Sequence, residues 1–264
     1  MKFTSFLTAS ALMTAMIAPG AMAAAADTST TNFSETQTKQ LEKLVHDYLV
    51  NNPEVLLEAS QALQQKQQQN MQVQAQAAIQ SNAAQVFGDD LTVAGNPKGN
   101  VTLVEFFDYQ CIHCKKMEPV ISGLIKRNPN LRVIYKEFPI FGESSELASK
   151  AALAAAMQGK YAAMHAALFN QEGRLNEELI MKAAKTAGLD LAKLKTDMNS
   201  KTVTDALSLN RELAEKLHLM GTPAFIVSGT NQGKIKQGST PTFIPGAASE
   251  KSLEEMIKKE GASS

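Results

Sequence analysis

The chain has 264 residues, of which 44% are hydrophobic and 20% are charged, a composition typical of a globular protein. Its 26 basic residues balance its 26 acidic residues, so the charge gives no support to a nucleic-acid-binding or membrane-surface protein. Only two residues are cysteine, which excludes a disulfide-rich scaffold.

The first predicted element is an apolar N-terminal segment. Lys2 precedes an apolar run at 6–18, and Ala21-Met22-Ala23 has the small-x-small form of a cleavage site. The run is too short to span a bilayer as a mature helix. Residues 1–23 are therefore predicted to be a cleaved secretory signal. The mature protein is expected outside the cytoplasm, where disulfides persist.

Two helices are predicted within residues 24–88, after a flexible start at 24–37. The spacing i, i+3, i+4, i+7, i+8 gives the first helix one apolar face, formed by Leu41, Leu44, Val45, Tyr48 and Leu49. Asn52 caps a second helix that has Pro53 at its first position and continues into the eighties. Half of the residues at 61–80 are glutamine, which is compatible with a solvated linker helix. We favour the interpretation that this second helix is an arm, which positions the segment through which two chains pair.

Residues 89–264 are predicted to form one domain. Its elements in chain order are a buried strand at 101–107, a helix from the cysteines to about Asn128, a strand at 131–139, a helical stretch at about 144–218, strands at 221–229 and 233–238, and a helix at 249–259. This order predicts an α/β domain with a helical insertion.

Both cysteines lie in the stretch Cys111-Ile112-His113-Cys114, where a helix begins directly after the first strand. The free N–H groups and the dipole of a helix N-terminus stabilise a thiolate at Cys111. Cys114 lies one turn further along the same side and can close a disulfide with Cys111. A protonated His113 adds positive charge nearby. The arrangement predicts a redox-active dithiol with an accessible Cys111 and a shielded Cys114.

Two other uses of the cysteine pair carry less weight. A structural zinc site needs four ligands, yet the chain has no third cysteine and its other three histidines stand alone. A purely structural disulfide between these cysteines would close a very small ring, so it would remove little conformational entropy from the unfolded chain. We therefore expect no metal.

Two further segments are predicted to belong to the dithiol site. Thr222-Pro223 precedes an apolar strand far downstream of the cysteines, which suggests a cis-proline turn. Such a turn places the Thr222 backbone beside the sulfurs, where it can pair with a bound peptide as an added strand. Glu105 has apolar neighbours in the first strand. Burial would raise its pKa and suit it to proton transfer.

The stretch TLVEFFDYQCIHC, the helical insertion and GTPAF together resemble the DsbA family of bacterial periplasmic thiol:disulfide oxidoreductases over about residues 90–260. The resemblance implies a thioredoxin fold with an inserted helical domain, a periplasmic location and a redox-active disulfide with no other cofactor. It implies that Cys111 attacks, that Cys114 resolves and that Glu105 moves a proton to or from Cys114. Pro223 matches the cis-proline of the family.

The chain departs from the best-known members of the family at two places. Ile112-His113 replaces their Pro-His dipeptide, and Thr222 replaces a common valine, as in the disulfide isomerases. Ile112, Thr222 and Pro223 are the expected substrate-binding residues. The N-terminal helical extension at 33–88 resembles the dimerisation segment of longer DsbA-like proteins, so we expect a homodimer.

Taken with this resemblance, the sequence predicts an enzyme that introduces disulfides into folding periplasmic proteins and also isomerises them. The expected partners are unfolded or misfolded secreted proteins and a membrane thiol oxidase or reductase, with no nucleic acid. Two alternatives remain open. One is a dimeric isomerase that works from the reduced dithiol, and the other is a holdase chaperone in which the cysteines are incidental.

Overall fold

A computed structural model of the chain describes residues 33–88 and 91–262. The predicted secretory signal at 1–23 lies outside the described residues, as does the predicted flexible start up to residue 32. The described residues divide into two compact units, with the division between Ser60 and Gln61.

The first unit contains helix α1 (Glu35–Asn51) and the beginning of helix α2 (Glu54–Ser81). Helix α1 begins at a reciprocal cap. The Ser34 hydroxyl accepts from the Gln37 N–H at 3.3 Å, and the Gln37 side chain accepts from the Ser34 N–H at 2.9 Å. Because of this cap, residues 35–37 are helical and do not belong to the predicted flexible start. No residue of α1 is buried.

The second unit is built on a mixed sheet, which has six strands within the described residues. The strands are β1 (Val93–Gly95), β2 (Val101–Phe107), β3 (Leu131–Glu137), β4 (Ala224–Asn231), β5 (Lys234–Ile235) and β6 (Thr242–Pro245). They lie in the order β1-β3-β2-β4-β5, and β6 also pairs with β4. Strands β2 and β3 are parallel, and the other pairs are antiparallel. The central strand β2 is buried along its whole length.

Helices join these strands and fill both faces of the sheet. They are α3 (Ala83–Phe87), α4 (Ile112–Arg127), α5 (Glu143–Ala156), α6 (Tyr161–Phe169), α7 (Glu177–Thr186), α8 (Leu191–Asp197), α9 (Lys201–Lys216) and α10 (Glu250–Ala262). Helix α4 is the crossover between the parallel strands β2 and β3. Helices α5 to α9 form the predicted helical insertion between β3 and β4. The thioredoxin fold with an inserted helical domain is thereby confirmed.

Successive side chains of β2 point to opposite faces of the sheet, and each face belongs to a different hydrophobic core. Leu103 and Phe107 belong to the core that also contains α4 and the insertion. Val104 and Phe106 belong to the opposite core. Glu105 alternates with its neighbours in the same way, so its side chain points to the face covered by α4. Strand β2 therefore carries an acid beneath the helix that begins at the cysteines.

The end of α2 contributes to the second core. Ile79 is 1% exposed and packs in the same cluster as Val86 and Phe87, which follow it in α3. The second compact unit begins at Gln61 and so includes this end of α2. The division of the chain into domains after residue 88 stays a prediction. Among the described helices, none is long and apolar enough to cross a membrane.

Candidate active site

Cys111 is the N-cap residue of α4, with extended backbone angles of φ −77° and ψ 116°. Its backbone N–H donates to the Asp108 carbonyl at 3.1 Å, and its carbonyl accepts from the Lys115 N–H at 3.0 Å. Its side chain accepts no capping hydrogen bond. The Cys111 sulfur is therefore held at the positive end of the helix without being used as a cap. Both cysteines are free thiols in this structure.

The Thr222–Pro223 peptide bond is cis, as the sequence predicted. The Cys111 thiol donates to the Thr222 carbonyl at 3.3 Å, which confirms that the turn faces the cysteine pair. Cys111 is only 4% exposed. The expectation of an accessible Cys111 is therefore wrong for this reduced conformation, in which the thiol contacts the turn. The Thr222 hydroxyl is buried and has no hydrogen-bond partner among the described residues.

Cys114 lies deeper in the domain and is 1% exposed. Burial raises the pKa of the Cys114 thiol far above its ordinary value, and the negative charge of Glu105 raises it further. The uncharged thiol is therefore the stable form of Cys114. The prediction of a shielded second cysteine is confirmed.

Glu105 is 2% exposed at the middle of β2. In the sheet it is paired with Tyr135 on β3 and with Phe225 on β4. Burial raises the pKa of the Glu105 carboxyl well above its ordinary value, and repulsion from a charged Cys111 adds to this effect. The carboxyl is therefore both buried and electrostatically coupled to the cysteine pair. The predicted burial of Glu105 is confirmed, and the direction of its pKa shift agrees with the prediction.

The two residues between the cysteines face solvent. Ile112 is 64% exposed, and His113 is also exposed. Both lie in the first turn of α4. The structure therefore brings Cys111, Cys114, Glu105, Thr222 and Pro223 together around the sulfurs, while Ile112 and His113 form the outer surface of the turn.

The sequence analysis missed a buried cluster around Glu137, at the end of β3. The Tyr161 hydroxyl donates to Glu137 Oε1 at 2.7 Å, and the Tyr109 hydroxyl donates to the same oxygen at 3.0 Å. The Tyr109 oxygen also lies 3.1 Å from His165 Nδ1. Burial raises the pKa of Glu137 to about 8, although the hydrogen bonds from Tyr161 and Tyr109 oppose this effect.

This cluster has a signal in the sequence. Glu137 is an acid inside the apolar stretch LRVIYKEFP, which is the same feature that drew attention to Glu105. His165, however, is a buried core residue, and burial lowers its pKa to about 3. Within the part of the chain that is described, no group of three or more histidine, cysteine or acidic side chains is arranged to hold a metal ion.

Two segments of the chain match known protein families. Residues 102–258 match the DSBA-like thioredoxin domain. Residues 37–70 match the N-terminal domain of the copper resistance protein ScsC. The first match contains both cysteines and the cis-proline turn, and the second contains most of α1 and part of α2.

Individual proteins are similar to this chain over different shares of its length. The thiol:disulfide interchange protein DsbA of Burkholderia cepacia is 30% identical over 181 residues, covering 64% of this chain and 83% of that protein. The crystal structure of BcfH from Salmonella enterica Typhimurium has 32% identity and a TM-score of 0.73, covering 86% of this chain and 96% of that one. Proteus mirabilis ScsC in a transitional conformation has 31% identity and a TM-score of 0.60, covering 89% and 100%.

The chain also resembles part of some larger proteins. It is 27% identical to the Na(+)/H(+) antiporter NhaA 3 of Salinispora tropica over 52% of its own length, but it spans only 21% of that protein. The DSBA-like match, in contrast, covers more than half of this chain and includes the complete cysteine motif. The chain belongs to the family of DSBA-like thioredoxin domains.

Proposed function

We propose that this protein is a periplasmic thiol:disulfide oxidoreductase that introduces disulfides into folding secreted proteins and also isomerises them. The observation that carries the proposal is the position of Cys111, at the N-terminus of α4 and 3.3 Å from the Thr222 carbonyl. Cys114 and Glu105 lie buried behind it. The redox centre is the dithiol itself, so the reaction needs no metal or organic cofactor.

The oxidative reaction begins with a disulfide between Cys111 and Cys114. A client thiolate attacks the Cys111 sulfur, so that a client–Cys111 bond forms and the Cys111–Cys114 bond breaks. Cys114 leaves as a thiolate and takes up a proton, because burial strongly favours its uncharged form. Glu105 is the proton donor, since burial raises the pKa of its carboxyl and so favours the protonated form.

The second step releases the client. A second client thiolate attacks the client sulfur of the mixed disulfide, and Cys111 leaves as a thiolate at the helix N-terminus, where the free N–H groups stabilise it. Two client thiols have then become one disulfide, and the enzyme pair holds the two electrons. A membrane thiol oxidase restores the disulfide. In isomerisation, the reduced Cys111 instead attacks a wrong client disulfide, and a membrane reductase keeps the pair reduced.

The backbone beside Cys111 supports binding of an extended client segment. The Thr222 carbonyl points at the Cys111 sulfur and is available to a peptide N–H once that thiol is oxidised. A client strand added along Thr222 and Pro223 would place its own sulfur next to Cys111. Ile112, which follows Cys111 in the chain and is 64% exposed, offers apolar contact to the same client.

We further propose that the N-terminal helices join identical chains, with a homodimer as the smallest assembly. Leu44, Val45 and Tyr48 on α1 are 65%, 49% and 55% exposed. A single short helix that leaves such a face in water is marginally stable, so a second copy is a natural surface for it. The match of residues 37–70 to the ScsC N-terminal domain supports a separate role for this segment.

The redox state of the cysteine pair in cells tests the proposal and separates its two activities. Alkylation with a heavy maleimide distinguishes a mostly oxidised pair, expected for an oxidase, from a mostly reduced pair, expected for an isomerase. A Cys111→Ser variant should lose both oxidation of a reduced peptide and recovery of scrambled ribonuclease. Retained activity in either assay would refute the proposal, and suppression of aggregation as the sole activity would favour a holdase.

A further inference from the structure

Asp108 precedes the cysteine motif by three residues and is completely buried. Its Oδ1 accepts from the Gln110 N–H at 2.6 Å and from the Ser145 hydroxyl at 2.7 Å. Its Oδ2 accepts from the Ile140 N–H at 2.7 Å and from the Phe141 N–H at 3.1 Å. Four donors thus satisfy both carboxylate oxygens, which explains how a charged side chain is tolerated in this position.

These hydrogen bonds connect two segments that are distant in sequence. The Asp108 carbonyl also accepts from the Cys111 N–H at 3.1 Å, so the same residue contacts the cysteine turn directly. The other segment, residues 140–145, runs from the end of β3 into α5. Asp108 therefore fixes the position of this loop relative to Cys111 from within the protein.

The loop presents hydrophobic side chains at the surface. Ile140 is 41% exposed and Phe141 is 51% exposed, although their backbone N–H groups are held by the buried carboxylate. Ile112, in the cysteine turn itself, is 64% exposed. Exposed apolar side chains thus lie on both segments that Asp108 joins, the 140–145 loop and the turn that contains Cys111.

We propose that Asp108 is a positioning residue that determines client specificity. By tying the 140–145 loop to the cysteine turn, it holds Ile140 and Phe141 where they contact an apolar client side chain next to the exchanging cysteine. The ligand class is therefore an unfolded polypeptide with a large apolar residue beside its cysteine. This inference rests on the proposed exchange of disulfides with client proteins.

The test compares two reduced peptides that differ only in having leucine or serine beside the cysteine. Wild-type protein should oxidise the leucine peptide with a kcat/KM about tenfold higher, which is the discrimination a modest apolar contact provides. Asp108→Asn replaces one acceptor oxygen with a donor and should reduce this ratio towards one, mainly through KM. Ile140→Ser combined with Phe141→Ser should have the same effect while leaving the carboxylate and its donors in place.

Three controls make the result decisive. Asp205→Asn changes an exposed aspartate on α9 and should keep the wild-type ratio. Ser145→Ala removes one of the four donors to Asp108 and should give an intermediate ratio. Amide hydrogen exchange should show faster exchange at Ile140 and Phe141 in Asp108→Asn, with unchanged protection in β2 and β3. Loss of that protection as well would mark a general loss of structure and would overturn the positioning role.

A binding measurement distinguishes this inference from the proposed function. In the Cys111→Ser background, the two peptides are titrated without any turnover. Weaker binding of the leucine peptide after Asp108→Asn supports the inference even if the protein oxidises nothing. Equal binding of both peptides by the parent variant, or an unchanged preference after Asp108→Asn, refutes it even if disulfide exchange is confirmed.

Discussion

The Cys111 sulfur and the Thr222 carbonyl oxygen lie 3.3 Å apart, although 111 positions separate the two residues in the sequence. The contact joins the N-cap residue of α4 to the cis-proline turn. In the proposed function these two elements stabilise the thiolate and bind the client, so that both roles meet at the Cys111 sulfur.

Replacing Cys114 with serine should trap clients on Cys111. Without the second thiol, the enzyme cannot resolve a mixed disulfide by itself, so adducts should accumulate when the Cys114→Ser variant reacts with oxidised clients. Non-reducing electrophoresis followed by mass spectrometry measures them. The same adducts should be absent when Cys111→Ser is combined with Cys114→Ser. A lack of adducts in the single variant would contradict the assignment of Cys111 as the attacking residue.

Glu105→Gln should slow disulfide transfer on the order of a hundredfold, because general acid catalysis typically contributes at least that much. Glutamine keeps the shape of the buried side chain but cannot give a proton to Cys114. Stopped-flow measurement of peptide oxidation gives the rate, and urea unfolding checks that the variant is folded. Unchanged kinetics in a folded variant would remove the proton-transfer role of Glu105.

Glu137 should make the protein less stable as the pH rises. Its pKa is about 8 in the folded state against an ordinary 4.5, so the folded state holds the proton more tightly. The stabilisation is complete below pH 4.5 and is lost as the pH rises through 8, with a slope of up to about 1.4 kcal/mol per pH unit. Glu137→Gln should flatten this slope.

Urea unfolding of both proteins between about pH 6.5 and pH 8 measures the difference in slope. Below that range the buried, neutral His165 contributes a slope of opposite sign, because its pKa is lowered to about 3. Glu105 adds a slope of the same sign as Glu137, and because the charge of Glu137 helps to raise the pKa of Glu105, Glu137→Gln should also lessen that contribution. Parallel curves would show that Glu137 does not take up the proton on folding.

Tyr161→Phe and Tyr109→Phe should each cost about 1–3 kcal/mol of unfolding free energy, since each removes one of the two hydrogen bonds that the buried Glu137 Oε1 accepts. Tyr48→Phe changes a tyrosine on α1 that is 55% exposed, and it should change stability very little. In the Glu137→Gln background, each tyrosine substitution should cost less unfolding free energy, because both hydroxyls donate to the same oxygen, Glu137 Oε1. Strictly additive losses would contradict a shared network.

Leu44→Ser combined with Val45→Ser should reduce the mass in solution to that of one chain. The two substitutions remove apolar surface from the exposed face of α1 without affecting the catalytic unit. Light scattering measures the mass, and Lys39→Gln, on the same helix, serves as the control. A single-chain mass for the wild type, or an unchanged mass for the variant, would contradict self-association. Isomerase activity should fall in the dissociated protein while peptide oxidation persists.

The sequence predicted those features whose causes are local. The cysteine spacing, the helix start at Cys111 and the turn at Thr222-Pro223 are each encoded within a few residues. In contrast, the donors to Asp108 and Glu137 come mostly from residues 24 to 37 positions away. They meet only through the packing of the insertion, which no local pattern specifies. Strand β1 has three residues, too few for an alternating pattern to identify.

The exposed face of helix α1 affects how much of the N-terminal segment is helical. With no buried residue of its own, the helix begins at a well-formed cap but gains nothing from a core. In the proposed self-association, the copy that covers the apolar face of α1 supplies the missing free energy, and that contribution follows mass action. The helical content of this segment is then a property of concentration as much as of sequence. On dilution the N-terminal helix should melt while the dithiol domain stays folded, so the abundance of the protein sets how much of the chain is ordered.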